Sequence, residues 1–295
     1  AAFSTIQLVE NNTDNIDISA TGMAAGTKAE LISDVSGSTQ QMGDVTHALQ
    51  DASGLTDAMT VTVKGTATHA AAGNTIDLIT IGNVETVNLV SSHAGTTALA
   101  AADDNTITSL AIADTTTLNI SGSDELAVTV ATNTKLTTVD ASAMTALATL
   151  TLSNVTAGTA VTAGSGADTI VMGTKLGNAD VIDGGANPSA TLVDTLTADV
   201  TGLTATTGAL TISNVEALNF TNTGTAVINA AGITGANLIA VTGAAGTTTY
   251  SNLAEGAKVG LGFTDESGVA VTGTTTLALA DETGTANAVT VNLGE

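Results

Sequence analysis

The chain has no cysteine, no tryptophan and no arginine, and Pro188 is its single proline. Without cysteine there is no disulfide framework, no thiolate zinc site and no cysteine nucleophile. Aromatic residues make up 1% of the chain: Phe3, Phe220, Phe263 and Tyr250. A groove that binds or cleaves polysaccharide normally stacks sugars on aromatics and clamps acids with arginine, and neither is supplied here. Positive charge is scarce as well, with five lysines against 28 acids and a formal net charge of −23. Nucleic-acid binding needs basic patches that displace counterions, so no nucleic-acid partner is expected. No stretch approaches the roughly 18 apolar residues that span a bilayer, so no membrane insertion is expected either. The three histidines, His47, His69 and His93, lack ligand spacing, and no G-x-S-x-G elbow accompanies the serines. These absences point away from an enzyme, and they place the histidines at the surface.

What the chain does contain suits a narrow core. Threonine makes up about a fifth of the residues, glycine numbers 31, and 43% of the chain is hydrophobic. A thick globular core needs bulky fillers, whereas a quasi-one-dimensional core is filled by Val, Leu, Ile, Ala and Thr. From Asp51 onward apolar and polar residues alternate in short runs. Met59–Val63, Leu78–Ile81, Thr86–Val90, Thr117–Ile120, Leu126–Val130 and Leu147–Leu152 each read as a strand closed by a turn residue. Residues 1–50 are less regular. There Ala29–Ile32 and Gln41–Leu49 are expected to form a helical turn or two. The acidic surface gathers divalent cations and resists aggregation.

Internal repetition selects the architecture. Thr80-Ile81-Gly82-Asn83-Val84-Glu85-Thr86-Val87-Asn88-Leu89 recurs as Thr211-Ile212-Ser213-Asn214-Val215-Glu216-Ala217-Leu218-Asn219-Phe220. Asp51-Ala52-Ser53-Gly54, leading to Met59–Val63, is echoed by Asp281-Glu282-Thr283-Gly284, leading to Val289–Leu293. Repeated strand–turn units leave an apolar face bare until the next unit stacks on it, so the expected fold is all-β, a parallel β-solenoid. Glu85 and Glu216 then occupy one structural place in two coils and are not an acid–base pair. Phe220 takes the core position that Leu89 holds in the sister unit. Runs such as Thr60-Val61-Thr62 set threonines at regular spacing along one face, a feature shared with ice-binding solenoids.

One stretch carries chemistry. Ala163-Gly164-Ser165-Gly166-Ala167-Asp168-Thr169-Ile170 is followed by Asp180-Val181-Ile182, by Asp183-Gly184-Gly185, and by Asp194-Thr195-Leu196. This resembles the calcium-binding nonapeptide G-G-x-G-x-D-x-U-x of repeats-in-toxin (RTX) proteins. In that pattern the acid supplies a hard carboxylate oxygen, and the apolar residue two places on enters a short strand. The resemblance implies Ca²⁺ held by Asp168, Asp180, Asp183 and Asp194, with carbonyls of Gly164, Gly166 and Gly184. Together with the N-V-E strands it also makes the chain similar to surface-layer (S-layer) proteins exported by type I secretion in Gram-negative bacteria. That family implies an extracellular, calcium-dependent solenoid that self-assembles into a lattice on the cell surface. It also implies anchoring to outer-membrane lipopolysaccharide through other parts of the protein. A segment of a giant secreted RTX adhesin is the alternative. The expected layout is an irregular or partly helical entry over 1–50, solenoid over 51–160, calcium turns over 161–200 and solenoid again over 201–295. Because the unit at Asp281 stops partway, that last solenoid is expected to continue past Glu295 or to be covered by a neighbouring subunit.

Overall fold

Alternating β-branched and small residues favour extended backbone, and here the strands pair with kin one coil away rather than with a hairpin partner. The computed structural model describes residues 4–10, 17–33, 40–50, 53–54, 56–66, 74–94, 105–156, 158–204, 208–242, 246–261, 274–280 and 288–293. Among them every strand pairing is parallel.

The first sheet has nine strands: Thr5–Glu10, Lys28–Ser33, Ala58–Thr66, Thr86–Ala94, Thr117–Gly122, Thr138–Met144, Ala160–Thr162, Val181–Asp183 and Thr211–Ser213. A second, thirteen-stranded sheet takes the strands that alternate with these. It begins with Ile18–Met23, Val45–Leu49, Asn74–Gly82, Asn105–Ala111, Leu126–Val130 and Ala148–Thr151. It goes on through Thr169–Gly173, Thr195–Asp199, Ala217–Thr221, Leu238–Thr242, Lys258–Leu261 and Thr290–Leu293, with Gln40–Met42 paired to Asn74–Gly82 off the main path. Near the end a third sheet of Thr225–Asn229, Thr247–Leu253 and Thr274–Leu279 opens. The chain is a parallel β-solenoid.

Period-2 alternation aims one residue in two at the axis. On the first sheet, Val87, Leu118, Val139, Val161, Ile182 and Ile212 stack in register, each 1% exposed or less. Facing them on the second sheet are Ile107, Val128, Leu150, Ile170, Leu196, Leu218, Ile239 and Val259. Phe220 is fully buried, as its repeat position requires. The core is a thin filling between two sheets, which explains why so few aromatics suffice.

The expected helical turns do not form. Ala29–Ile32 lies within the strand Lys28–Ser33, and residues 41–49 are divided between the strands Gln40–Met42 and Val45–Leu49. Ala29 and Leu31, and then Val45, His47 and Leu49, are buried on alternate positions, so pairing with the next coil overrides a weak local preference. Asp51 and the unit Asp281–Gly284 lie outside the described residues, as does His69.

Leu150 and Thr151 are neighbours on opposite faces of one strand, the first buried and the second half-exposed. Leu150→Ala should cost about 2–5 kcal/mol, the range for truncating a buried leucine. Thr151→Ala should stay within about 0.5 kcal/mol. Urea unfolding of the two variants measures both, and equal losses would contradict the inward and outward assignment.

Candidate functional site

The two N-V-E units make the same turn but do not share one place in the coil: the first leads from the second sheet into the first, and the other from the first sheet into the second. Asn83 (φ 61°) and Asn214 (φ 54°) turn the chain through the left-handed region, which asparagine tolerates better than most residues. Val84 and Val215 then plug the core with no exposure. The glutamates come last, one residue before the strands at Thr86 and Ala217, and each reaches back one coil. Glu85 Oε2 accepts from the backbone N–H of Asp57 at 2.9 Å, and Glu216 Oε2 from that of Asp194 at 2.8 Å. Their carbonyls take N–H groups from the coil ahead: Thr116 and Thr117 for Glu85, Asn237 and Leu238 for Glu216. Each glutamate thus fastens three coils.

The aspartates of the glycine-rich stretch act in the same way. Asp168 Oδ1 accepts from Ala148 N–H of the preceding coil at 2.6 Å, and its Oδ2 from Gly164 N–H at 2.8 Å. Asp194 Oδ1 accepts from Asp168 N–H at 2.7 Å, while its Oδ2 takes Asn187 Nδ2 at 2.9 Å. Ala148, Asp168, Asp194 and Glu216 therefore form one column along the edge where the second sheet begins. Asp180 does this at the first sheet, its Oδ1 taking N–H groups of Gly158 and Thr159 at 2.7 Å each, and its Oδ2 that of Gly177 at 2.8 Å. Asp168, Asp180 and Asp194 are each 1% exposed. A buried charge survives only with such charge-assisted bonds.

The residues singled out as calcium ligands are thus divided between two places. Asp168, Asp194 and Gly164 gather at the second sheet, whereas Asp180 and Asp183 sit at the first. Asp183 Oδ1 accepts from Gly185 N–H and from Asn214 Nδ2. The glycines have a steric reason of their own. A Cβ on Gly164 would lie 2.5 Å from the Met144 carbonyl, and one on Gly184 would lie 1.9 Å from that of Asn214. Gly166 is pressed in the same way on the backbone of Ala146 and Leu147. Hard carboxylate oxygens are the right chemistry for calcium. Their positions here, though, are fixed by N–H groups of adjacent coils, and no group of three acids or histidines converges among the described residues.

Two histidines depart from the expected surface placement. His47 is fully buried, with neither ring nitrogen hydrogen-bonded, because it sits at an inward position of Val45–Leu49. Burial lowers its pKa to about 4. His93 Nδ1 pairs with Asp124 Oδ1 at 2.6 Å, tying consecutive coils together. Reading by motif missed the clamps. Their signal is an acid one residue before a Thr, Val or Ala that starts a strand, as in Glu85-Thr86, Asp168-Thr169, Asp180-Val181, Asp194-Thr195 and Glu216-Ala217.

The chain matches no family model, no curated protein and no solved structure.

The clamps make two predictions. Glu216→Ala leaves the Asp194 N–H without its partner and should cost about 1–3 kcal/mol, as should Glu85→Ala for Asp57. Chemical denaturation reads both, and a loss near zero in either would remove the fastening role. The second prediction concerns pH in metal-free buffer. Burial pushes the Asp194 carboxyl up to about 6, against the Asp168 N–H bond that favours the charged form and with repulsion from Asp168 and Glu216 adding to it. Asp168 is also raised, first by burial. Between about 4, where an unfolded aspartate titrates, and about 6 the folded chain holds the extra proton. Stability therefore falls as pH rises through that window. His47 has the opposite sign, since its depressed pKa means stability lost as pH drops from about 6.5 towards about 4. The difference between the parent and Asp194→Asn isolates the carboxyl, and the variant should lack the Asp194 part of the slope. Identical pH profiles for the two would show that Asp194 titrates normally.

Proposed function

We propose that this chain is a structural module of a self-assembling bacterial surface layer, an extracellular protein that works by association and not by catalysis. The observation that carries this reading is the unbroken parallel stack. From Thr5 to Leu293 the described strands belong to one repeating system of sheets, and the carboxylates of Glu85, Asp168 and Glu216 hold coils together. Such a stack is a rod or slab whose outer faces repeat at the strand spacing, and repeated faces suit repeated contacts. The likeness of the glycine–aspartate stretch to RTX turns, with the −23 charge, supports an exported protein of this class.

Calcium enters this proposal as the counter-ion of the acidic column. Asp168, Asp194 and Glu216 stand one above another, and Asp194 is raised by burial first and by repulsion from the other two next. The three carboxylates do not converge on one point, so a divalent cation beside the column, with the side-chain amide oxygen of Asn187 as one ligand, supplies the positive charge that the column lacks. Asn187 Oδ1 is buried with no hydrogen-bond partner.

Electron microscopy of the purified chain in calcium at about 10⁻³ M, the range of extracellular calcium modules, tests the assembly. Ordered two-dimensional arrays are expected. Isolated fibres would favour an adhesin segment, and dispersed single particles would overturn the reading. The calcium part has its own measurement. The parent should gain stability on going from chelator to calcium, and Asp168→Ala should lose most of that gain. An equal cost for Asp168→Ala in both buffers would leave it a clamp alone.

A further inference from the structure

Charge is unevenly distributed over this acidic chain. Seven consecutive strands of the second sheet run from Asn105–Ala111 to Leu238–Thr242, and Asp199 is their one charged residue. It sits at the last position of its strand, at the rim. The two central outward columns hold only Thr, Ser, Ala, Val, Leu and Asn. Register places Thr149 beside Thr169 and Thr169 beside Thr195 in one column. In the other, Thr151 stands beside Val171, Val171 beside Thr197 and Thr197 beside Asn219. These side chains are half-exposed or exposed. The first sheet has no equivalent face, because Asp140 and Asp183 lie in its outward column. Among the described residues most other acids lie outside the strands.

We infer that this uncharged face of the second sheet is the surface through which copies of the chain associate, an inference that rests on the self-assembly proposed above. Two chains of net charge −23 repel each other in nearly every orientation. Repulsion between like charges facing each other across an interface costs several kcal/mol. Apposing the two neutral faces keeps the acids at the periphery, where water and salt screen them. Short side chains let two sheets approach to the ordinary spacing of about 10 Å, with methyl groups interleaved and hydroxyls free to pair or to hold water. Seven strands about 4.8 Å apart make a face about 29 Å long, and five residues of strand make it about 16 Å wide. Two such faces bury on the order of 900 Å², less than the roughly 1,200 Å² of a stable isolated complex. A contact of that size is weak singly and effective when repeated, as an array requires.

The experiment is sedimentation of the full chain over a range of concentration and salt. Association is expected to strengthen as salt rises, since salt screens the repulsion that opposes it. The double variant Thr169→Glu with Thr197→Glu adds two outward charges to the neutral face, and should weaken association at least about tenfold while keeping the β-sheet circular dichroism. Thr117→Glu with Thr138→Glu adds the same charge to the outward side of the first sheet and controls for net charge. It should weaken association only slightly. Equal weakening by the two pairs, or a larger effect of the first-sheet pair, overturns the assignment of this face while leaving self-assembly standing. A parent that stays monomeric at every concentration and salt overturns self-assembly itself, and this inference with it.

Discussion

No coil of this protein can satisfy its own backbone. In a hairpin or a helix the hydrogen-bonding partner lies a few residues away, but here, among the described residues, every ladder bond leaves for the coil before or the coil after. An isolated coil is a loop with unpaired N–H and C=O groups and a bare apolar edge. Stacking cures both defects at once. Everything else follows from this dependence, including the register, the narrow aliphatic core and the use made of the acids.

The acids take over where the ladder is weakest. At the entrance to a strand the chain has just rounded a corner, and the N–H there points at the neighbouring coil without a carbonyl opposite. A carboxylate one residue before the next coil's strand reaches into that gap. Glu85, Asp168, Asp180, Asp194 and Glu216 all do so, from two different sheets. Stacking acids in adjoining coils has a cost, visible in Asp194, whose carboxyl is held near 6 by burial first and by its neighbours next. Stability and repulsion therefore come from the same side chains.

The fold was largely legible in the sequence. Alternation such as Leu126-Ala127-Val128-Thr129-Val130 dictates a two-faced strand, and the recurrence of Asn-Val-Glu at Glu85 and Glu216 shows that strand–turn units repeat, although the two mark different corners and not one place in the coil. The first fifty residues were less legible, because Ala29–Ile32 and Gln41–Leu49 are too short to show a period and their strand form is imposed by the adjacent coil. His47 was misplaced for the same reason, as only the register shows that it faces inward. At the glycine–aspartate stretch the motif found the right residues. Which groups their oxygens would meet depends on pairings 20 to 26 residues away, such as Asp168 with Ala148 and Asp194 with Asp168. Spacing alone carries no trace of those.

Coil length varies while the register holds. Successive first-sheet partners Thr117, Thr138, Ala160 and Val181 are 21, 22 and 21 residues apart, yet the steps on either side, from Thr86 and to Thr211, take 31 and 30. All the ladder bonds point along the stack, so a pull along that axis opens them like a zipper, one coil at a time. Sideways load meets the covalent chain instead, which crosses the stack in every coil. The molecule is therefore compliant in one direction and stiff in the other two, a mechanical grain written into the coil by where its hydrogen bonds point.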